Sequence, residues 1–304
     1  MRRSDKRGSG INALGVTCAL LAGLISLATF TSLASRAQAY CRETVDTPSS
    51  GPCVEKPGSP RLVWRRPCIT YVFEQNVFSR LSLFDEASIR KVFQTSYDTW
   101  ASVECDGREP FLAQQADGTT TTSASEFVFD VPNESIVVAR TRSEWTDLGR
   151  SRNALALTLL LHEVDTGEIL DVDMELNTGA GRFANCDQPC GRDMMDLENT
   201  VTHEAGHVLG LGHSTAVDST MEEAAADGET KKRSLEPDDM EGYCSLDLPA
   251  PACDAGECLC DGPRIFPSQR STTSCGCHVP GAREGALSSR VSGGISALLL
   301  LTLV

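Results

Sequence analysis

The chain has 304 residues, of which 40% are hydrophobic and 23% are charged, and its formal net charge is −15. This length and balance are those of a globular protein with one sizeable domain and extra segments, or with two small domains. The acidic excess argues against a nucleic-acid-binding protein, which would carry a basic surface.

The N-terminus has the pattern of a secretory signal peptide. Four basic residues open the chain: Arg2, Arg3, Lys6 and Arg7. A mostly apolar stretch, 13–33, follows, and Ala37-Gln38-Ala39 then supplies a small-residue cleavage site. We therefore expect residues 1–39 to be removed after Ala39 and the protein to be secreted or held at the cell surface. A retained membrane anchor is the alternative interpretation.

The cysteine content fits an exported chain. Twelve of the thirteen cysteines lie beyond the predicted signal peptide: Cys41, Cys53, Cys68, Cys105, Cys186, Cys190, Cys244, Cys253, Cys258, Cys260, Cys275 and Cys277. An even number in an exported protein predicts disulfides, whose connectivity the sequence leaves open. Cysteine-bound zinc is the alternative, but the single-residue spacing of Cys258 and Cys260 is too short for a usual zinc knuckle.

The elements that follow alternate between strands and helices. Residues 40–60 read as an irregular, Cys- and Pro-rich segment. The strands are predicted at 68–76, 126–131, 135–141, 155–164 and 167–177, with a polar loop at 117–125 and a hairpin around 165–167. Apolar residues at helical spacing predict a helix from Asp85, its N-cap, to about Val103. Together they predict an α+β sheet domain over residues 61–246.

The stretch His203–His213 reads HEAGHVLGLGH and holds three of the five histidines. Asp196 is a plausible N-cap for a helix that starts at Leu197. His203 and His207 then lie one turn apart on one face, where two imidazoles can hold one Zn²⁺. Glu204 is placed beside the open coordination position and can accept a proton from water there.

The third histidine requires the helix to stop. A continuous helix would place His213 about 15 Å from His203 along the axis, too far for one ion. Gly210 supplies a left-handed stop that a residue with a Cβ resists. We expect Gly212 to loosen the turn further. The two glycines would thus bring the third imidazole back to the metal.

This stretch is the zinc signature of the metzincins, and the residues after it resemble the matrixins, the family of matrix metalloproteases and their bacterial relatives. Ser214 follows the last histidine, Met221 lies eight residues beyond it, and "LEPDDMEGY" (235–243) resembles the matrixin helix with its paired acids, here Asp238 and Asp239. The resemblance covers roughly 61–246, and its specific motifs lie within 196–243.

The resemblance implies an α+β metzincin-like fold. Its sheet would be twisted and mostly parallel with an antiparallel edge strand, packed on the active-site helix and a second long helix. It also implies a zinc metalloendopeptidase with one catalytic zinc, bound by His203, His207 and His213. Glu204 would be its general base, Met221 would form a floor under the metal, and 167–177 would be the edge strand that binds substrate.

Four features depart from the family pattern. Glu222 and Glu223 replace the usual Tyr-Pro after the methionine, which alters the expected pocket wall. A cysteine-switch segment is missing, because Cys68 lacks the residues that would complete that motif. His162 is expected to be an ordinary sheet residue, so a second, structural zinc is not expected. Calcium ligation by three strand acids is a hypothesis, set against the alternative that they are solvated: Asp171, Asp173 and Glu175.

The C-terminal region changes in composition. Residues 247–274 read as a Cys- and Pro-rich linker with a small disulfide knot at 253–260. Residues 275–304 resemble in part the myxobacterial C-terminal sorting signal, in which a Gly-Cys element precedes a short membrane helix and is processed to a lipid anchor. Cys277 fits the processed position better than Cys275. The apolar end, 293–304, is shorter than the ~20 residues of a spanning helix, and a disordered tail is the alternative.

Three functions remain open from the sequence. The first is an exported zinc endopeptidase that acts, as a monomer, on protein or peptide substrates. The second is a catalytically inert, zinc-bearing surface binding module on the same fold. The third is a metal hydrolase that does not cleave peptides. Cleavage of a peptide that depends on Glu204 separates the first from the others.

Overall fold

The computed structural model describes residues 39–47, 53–66, 68–107, 112–125, 132–188 and 190–249, and the backbone of 253–254, 257–258, 264–265 and 295–301. The predicted signal peptide up to residue 38, the predicted strand 126–131, and Cys275 and Cys277 lie outside these residues. In the part of the chain so described, no helix is both long and apolar enough to cross a membrane.

The described elements alternate along the chain. The strands are β1 (Cys41–Arg42), β2 (Cys68–Phe73), β3 (Leu112–Gln115), β4 (Pro132–Asn133), β5 (Ser135–Arg140), β6 (Ala156–Glu163), β7 (Ile169–Asn177), β8 (Arg182–Ala184), β9 (Met194–Asp196), β10 (Leu211–Gly212), β11 (Cys253–Asp254), β12 (Glu257–Cys258), β13 (Arg264–Ile265) and β14 (Ile295–Leu301). The helices are α1 (Val77–Arg80), α2 (Glu86–Ala101), α3 (Arg142–Asp147), α4 (Leu197–Leu209) and α5 (Pro237–Ser245), with a short 3-10 turn at Lys231–Arg233.

The main sheet has the order β14-β6-β7-β5-β2-β3. Strands β7, β5, β2 and β3 run parallel to one another, whereas β6 is antiparallel to β7. A tight connection through Gly167, at a φ of 70°, joins β6 to β7 and confirms the predicted hairpin. The α+β class with a mostly parallel sheet and an antiparallel strand at its border is confirmed.

The prediction that residues 167–177 form the substrate-binding edge strand is wrong. Strand β7 is internal, because it pairs with β5 on one side and with β6 on the other. Strand β6 pairs antiparallel with β7, and β14 pairs antiparallel with the other side of β6 and forms the border of the sheet, with Leu300 opposite Thr158. Alternation of apolar residues reports which face of a strand is buried but not which strands are its neighbours.

The core lies between one face of this sheet and the helices α2 and α4. Asp85 caps α2, as predicted, by accepting a hydrogen bond from the Ser88 amide at 2.7 Å. Aromatic side chains from the sheet and from α2 fill the layer and are nearly inaccessible: Tyr71, Phe73, Phe93, Tyr97 and Trp100. Burial of this apolar surface is the main force that packs α4 against the sheet.

The other face of β7 carries the three acids, and the expectation that they are solvated is wrong. Asp171, Asp173 and Glu175 are all buried. Asp173 accepts the Ile136 amide at 2.9 Å, and Glu175 pairs with the Arg140 guanidinium at 2.8 Å. Burial raises the pKa of both aspartates, and for Asp173 the neighbouring Asp171 adds to the rise.

Three disulfides are formed among the described residues: Cys41–Cys53, Cys105–Cys244 and Cys186–Cys190. Cys68 is also disulfide-bonded. A thiol that is consumed in this way cannot act as a zinc-blocking thiolate, so Cys68 is not a cysteine switch. The predicted disulfide knot at 253–260 lies outside the described side chains, although β11 and β12 pair antiparallel there.

Candidate metal and catalytic site

Helix α4 carries the first half of the site. Its N-cap is Asp196, as predicted, whose side chain accepts the Asn199 amide at 2.8 Å. Arg233 donates to the same carboxylate, which ties the helix start to the 3-10 turn. Every residue of α4 except Glu198 is buried. The helix ends at Gly210, which has a φ of 101° and confirms the predicted left-handed stop.

The two histidines on α4 are held in defined tautomers. Nδ1 of His203 lies 2.6 Å from the carbonyl of Thr220, and Nδ1 of His207 lies 2.8 Å from the carbonyl of Leu211. Because a carbonyl oxygen only accepts, both Nδ1 atoms carry the proton and donate it. Each Nε2 therefore presents a lone pair, which is the form that binds a metal ion.

These lone pairs face each other. The two Nε2 atoms of His203 and His207 are 3.1 Å apart. Two nitrogens that share a tetrahedral zinc at about 2.0–2.1 Å would lie about 3.3 Å apart. Without a cation between them the two lone pairs would repel, so the observed spacing fits a shared Zn²⁺.

His213 completes the cluster from outside the helix. The ring centroid of His213 lies 5.4 Å from that of His203 and 4.9 Å from that of His207. The candidate ligand atoms of the three residues lie within 4.8 Å of one another. Nε2 of His213 is buried without a hydrogen-bond partner in the structure. A buried ring nitrogen without a hydrogen-bond partner, beside two other imidazoles, is available as a third zinc ligand.

The electrostatic environment keeps the three rings neutral. Burial lowers the pKa of His207 to about 4. Burial, and secondarily the neighbouring His207 and Lys232, lowers that of His213 to about 3. The pKa of His203 is also held well below its usual value, mainly by burial. Neutral imidazoles at pH 7 are ready to bind a metal without first losing a proton.

Glu204 lies on α4 beside the first histidine and is fully buried. The Thr158 hydroxyl, from β6, donates to Oε2 of Glu204 at 2.6 Å. The carboxylate is therefore oriented by β6, the strand next to the border of the sheet. Thr158 was not singled out from the sequence, because the contact joins residues that are 46 positions apart.

Met221 lies under the histidine-bearing helix. It is 2% exposed. A Cβ at Gly206 would overlap the Met221 sulfur and would lie 2.7 Å from Cζ2 of Trp100. The absence of a side chain at position 206 is thus what lets the methionine and the indole approach the helix backbone.

The paired acids hold the turn that carries Met221. Asp239 accepts the amides of Thr220 at 2.7 Å and of Met221 at 3.1 Å. Asp238 accepts the Ser214 hydroxyl at 2.6 Å. Since the Thr220 carbonyl receives the Nδ1 proton of His203, α5 positions the first histidine through this turn.

The comparisons with known proteins agree with this geometry. The family model of the matrixins, peptidase family M10, matches residues 63–247, more than half of the chain. The chain belongs to the matrixin family. Matrixins are a family of zinc-dependent peptidases.

Two curated relatives of this matrixin come from Arabidopsis thaliana. Metalloendoproteinase 5-MMP is 29% identical over 192 residues, which cover 62% of this chain and 46% of the relative. Metalloendoproteinase 1-MMP is 27% identical over 200 residues, covering 64% of this chain and 46% of the relative. The chain therefore spans about half the length of the curated relatives it matches.

One departure of this matrixin from the family pattern has a structural explanation. Glu222 pairs with Lys231 at 2.6 Å, and the same ammonium contacts Asp218 at 3.2 Å. The Lys231 ammonium lowers the pKa of Glu222. Glu222 therefore stabilises the segment after Met221, and the Lys231 ammonium compensates much of the negative charge of Glu222.

The expectation that Gly212 loosens the turn is wrong. Gly212 is in strand β10 and pairs with Cys41 in β1. A Cβ there would overlap the Cys53 sulfur and would lie 2.5 Å from Oε1 of Glu43. The glycine thus permits a close approach of the N-terminal segment. No local pattern predicts this packing, because the partners of Gly212 lie more than 150 positions away.

The calcium hypothesis gains no support from the described residues. Within them, the histidine triad is the cluster with metal-ligating spacing. The acids on β7 accept hydrogen bonds from protein donors instead, as with Asp171 and the Ser135 hydroxyl at 3.1 Å. His162, predicted as a sheet residue, lies on β6.

Proposed function

We propose that this matrixin is an exported zinc endopeptidase that hydrolyses peptide bonds in protein substrates. The observation that carries the proposal is the convergence of three neutral imidazoles, two with fixed tautomers and one with a buried free nitrogen, beside a glutamate on the same helix. A structural histidine cluster would not require the Nε2 lone pairs of His203 and His207 to face each other.

The three histidines would hold the ion through Nε2. Three protein ligands leave a fourth position for water or substrate, as in catalytic zinc sites. Zinc in such a site supplies Lewis acidity, which makes water nucleophilic near neutral pH and polarises a carbonyl. The carbonyls of Thr220 and Leu211 fix the ring orientations of His203 and His207 and increase the basicity of both ligands.

Glu204 would act as the general base and then the general acid. It would take a proton from the attacking water and pass it to the leaving amine. The Thr158 hydroxyl holds one carboxylate oxygen at 2.6 Å and would orient the carboxylate for this transfer. Met221 would support the imidazoles from below without taking part in the chemistry.

The substrate would lie along the border of the sheet. Strand β6 contacts Glu204 through Thr158, and an extended peptide could pair with its outer side. In the structure β14 occupies that side, with Leu299 opposite Leu159 and Leu301 opposite Leu157. As long as the C-terminal segment is attached, a substrate that used this edge would have to replace β14.

The export route is part of the same proposal. Residues 1–39 would be the signal peptide, 40–60 an N-terminal segment and 61–246 the catalytic domain. Residues 247–274 would form a linker and 275–304 a sorting signal that leads to lipid anchoring at the cell surface. The disulfides support an oxidising, extracytoplasmic location, and we expect the exported protein to be a monomer.

The division of roles can be tested with two variants. Glu204→Gln should keep one zinc per chain and lose nearly all casein cleavage, because it removes the base and leaves the ligands. His207→Ala should lose zinc. Zinc content is measured by atomic absorption after gel filtration, and folding is monitored by circular dichroism. Equal zinc loss in both variants would contradict these roles, and a fully active Glu204→Gln would overturn the mechanism.

A further inference from the structure

The chain leaves helix α4 at Gly210, before it reaches the third histidine. This segment, residues 208–213, is called the ligand turn. Each of three carbonyls in it accepts a hydrogen bond from a side chain or from another segment. Trp64 Nε1 donates to Val208 at 2.7 Å, the Glu43 amide to Gly210 at 2.9 Å, and His207 Nδ1 to Leu211 at 2.8 Å.

The N-terminal segment, residues 39–47, runs alongside the ligand turn. Strand β1 pairs antiparallel with β10, so that Cys41 lies opposite Gly212 and Arg42 opposite Leu211. The amide of Thr215, beyond the third histidine, donates to the carbonyl of Ala39 at 3.3 Å. The backbone on both sides of His213 therefore contacts the N-terminal segment.

A ladder of two residues on each strand is marginal without further support. The Cys41–Cys53 disulfide provides that support, because it joins β1 to the side chain that packs against Gly212. Arg42 adds an anchor at the other end, since its guanidinium donates to the Ser245 carbonyl and pairs with Asp247 at 2.8 Å. Both contacts fix β1 next to the ligand turn.

We propose that the Cys41–Cys53 disulfide positions His213 for metal binding by clamping β1 onto β10. This proposal rests on the zinc site proposed above. His203 and His207 are placed by helix α4 itself, whereas His213 follows a non-helical turn. The clamp orders the ligand turn before the ion binds. Metal binding therefore does not have to supply the free energy that orders this turn.

Loss of the clamp should affect the third metal ligand and not the first two. Loss of the clamp releases the ligand turn and leaves α4, with its two imidazoles, in place. The ion would then be held by two histidines and a mobile third. Perturbing groups that orient metal ligands typically weakens metal affinity by about 10–100-fold, and we expect a loss in that range.

The test compares the oxidised full-length protein with two double variants. Cys41→Ala/Cys53→Ala removes the clamp. Cys186→Ala/Cys190→Ala removes a disulfide that closes a separation of 4 residues and lies in the segment before α4, away from α5 and the ligand turn. Zinc affinity is measured by competition with a chromophoric chelator. Cobalt(II) loading adds the visible spectrum, which reports coordination number, and circular dichroism and melting of the metal-free proteins report folding.

The proposal predicts about 10–100-fold weaker zinc binding and an altered cobalt spectrum for Cys41→Ala/Cys53→Ala. It predicts wild-type affinity and spectrum for the control, despite a lower melting temperature. An unchanged affinity in the first variant, or an equal loss in both, would overturn the clamp. Absence of stoichiometric zinc in the wild-type protein would instead overturn the proposed function. If Cys41→Ala/Cys53→Ala does not fold, the Arg42→Gln variant, which loosens β1 at its other anchor, must weaken zinc binding, or the proposal fails.

Discussion

Replacing Gly206 with alanine tests the packing under the metal site, because the substitution has two opposed effects on the free energy of unfolding. Glycine to alanine inside a helix stabilises by about 1 kcal/mol. Here the new methyl group would overlap the Met221 sulfur and lie 2.7 Å from Cζ2 of Trp100. The methionine is flexible, but the indole is fixed by its Nε1 hydrogen bond to the Thr202 carbonyl at 2.8 Å. Overpacking a core costs about 1–3 kcal/mol or more, so with this rigid partner we expect a net destabilisation of about 1–2 kcal/mol.

The assay is urea unfolding of the metal-free protein, followed by circular dichroism. Gly242→Ala is the matched control, because Gly242 is also helical but a Cβ there meets its nearest neighbour at 3.1 Å, a contact that can relax. We expect the control to change the free energy of unfolding by less than the Gly206 variant. Stabilisation of Gly206→Ala by the full helix-propensity gain would refute the argument that Trp100 and Met221 require a glycine.

Three further predictions concern the surroundings of the site. Asp239→Ala should destabilise the protein by about 2–4 kcal/mol in urea unfolding, because it leaves the buried amides of Thr220 and Met221 without an acceptor; a change below about 0.5 kcal/mol, typical of surface sites, would contradict that role. Burial raises the pKa of Glu43 from 4.5 to about 8, so the folded state retains a proton that the unfolded chain releases. The contribution of Glu43 to the free energy of unfolding is fully present below pH 4.5. It is lost as the pH rises towards 8, and the total loss is at most about 5 kcal/mol. In the metal-free protein, Glu43→Gln should flatten the pH dependence of the unfolding free energy in this window, and an unchanged slope would contradict the assignment. Deleting residues 293–304 should free the outer side of β6 and raise kcat/KM for casein several-fold, whereas unchanged kinetics would show that substrate does not replace β14.

The parts of the site that could be predicted from sequence depend on local rules. Asp196 and Asp85 begin helices because an acceptor side chain at the N-cap satisfies a free amide. Gly210 ends α4 because its φ of 101° is strained for residues with a Cβ. Helical periodicity then places His203 and His207 on one face. Each of these inferences needs only a few neighbouring residues.

The errors arose where partners are distant in sequence. Alternation in residues 167–177 was correct as a strand pattern, but strand order decided that β7 is internal. The acids on β7 were expected in water, yet arginines from β5 and from the loop before β6 cover Glu175. The contact of Gly212 with Cys53 joins residues that are more than 150 positions apart. Such packing has no signature within a short window of sequence.

The most direct test of the central claim is cleavage of casein by the oxidised, zinc-loaded protein. The wild-type protein is compared with Glu204→Ala and with wild-type protein treated with a chelator and then resupplied with zinc. An endopeptidase gives internal cuts that disappear in Glu204→Ala and under chelation and that return with zinc. A folded wild-type protein that binds one zinc and leaves casein and a mixed peptide library uncut would contradict the claim, and would favour an inert zinc-bearing binding module.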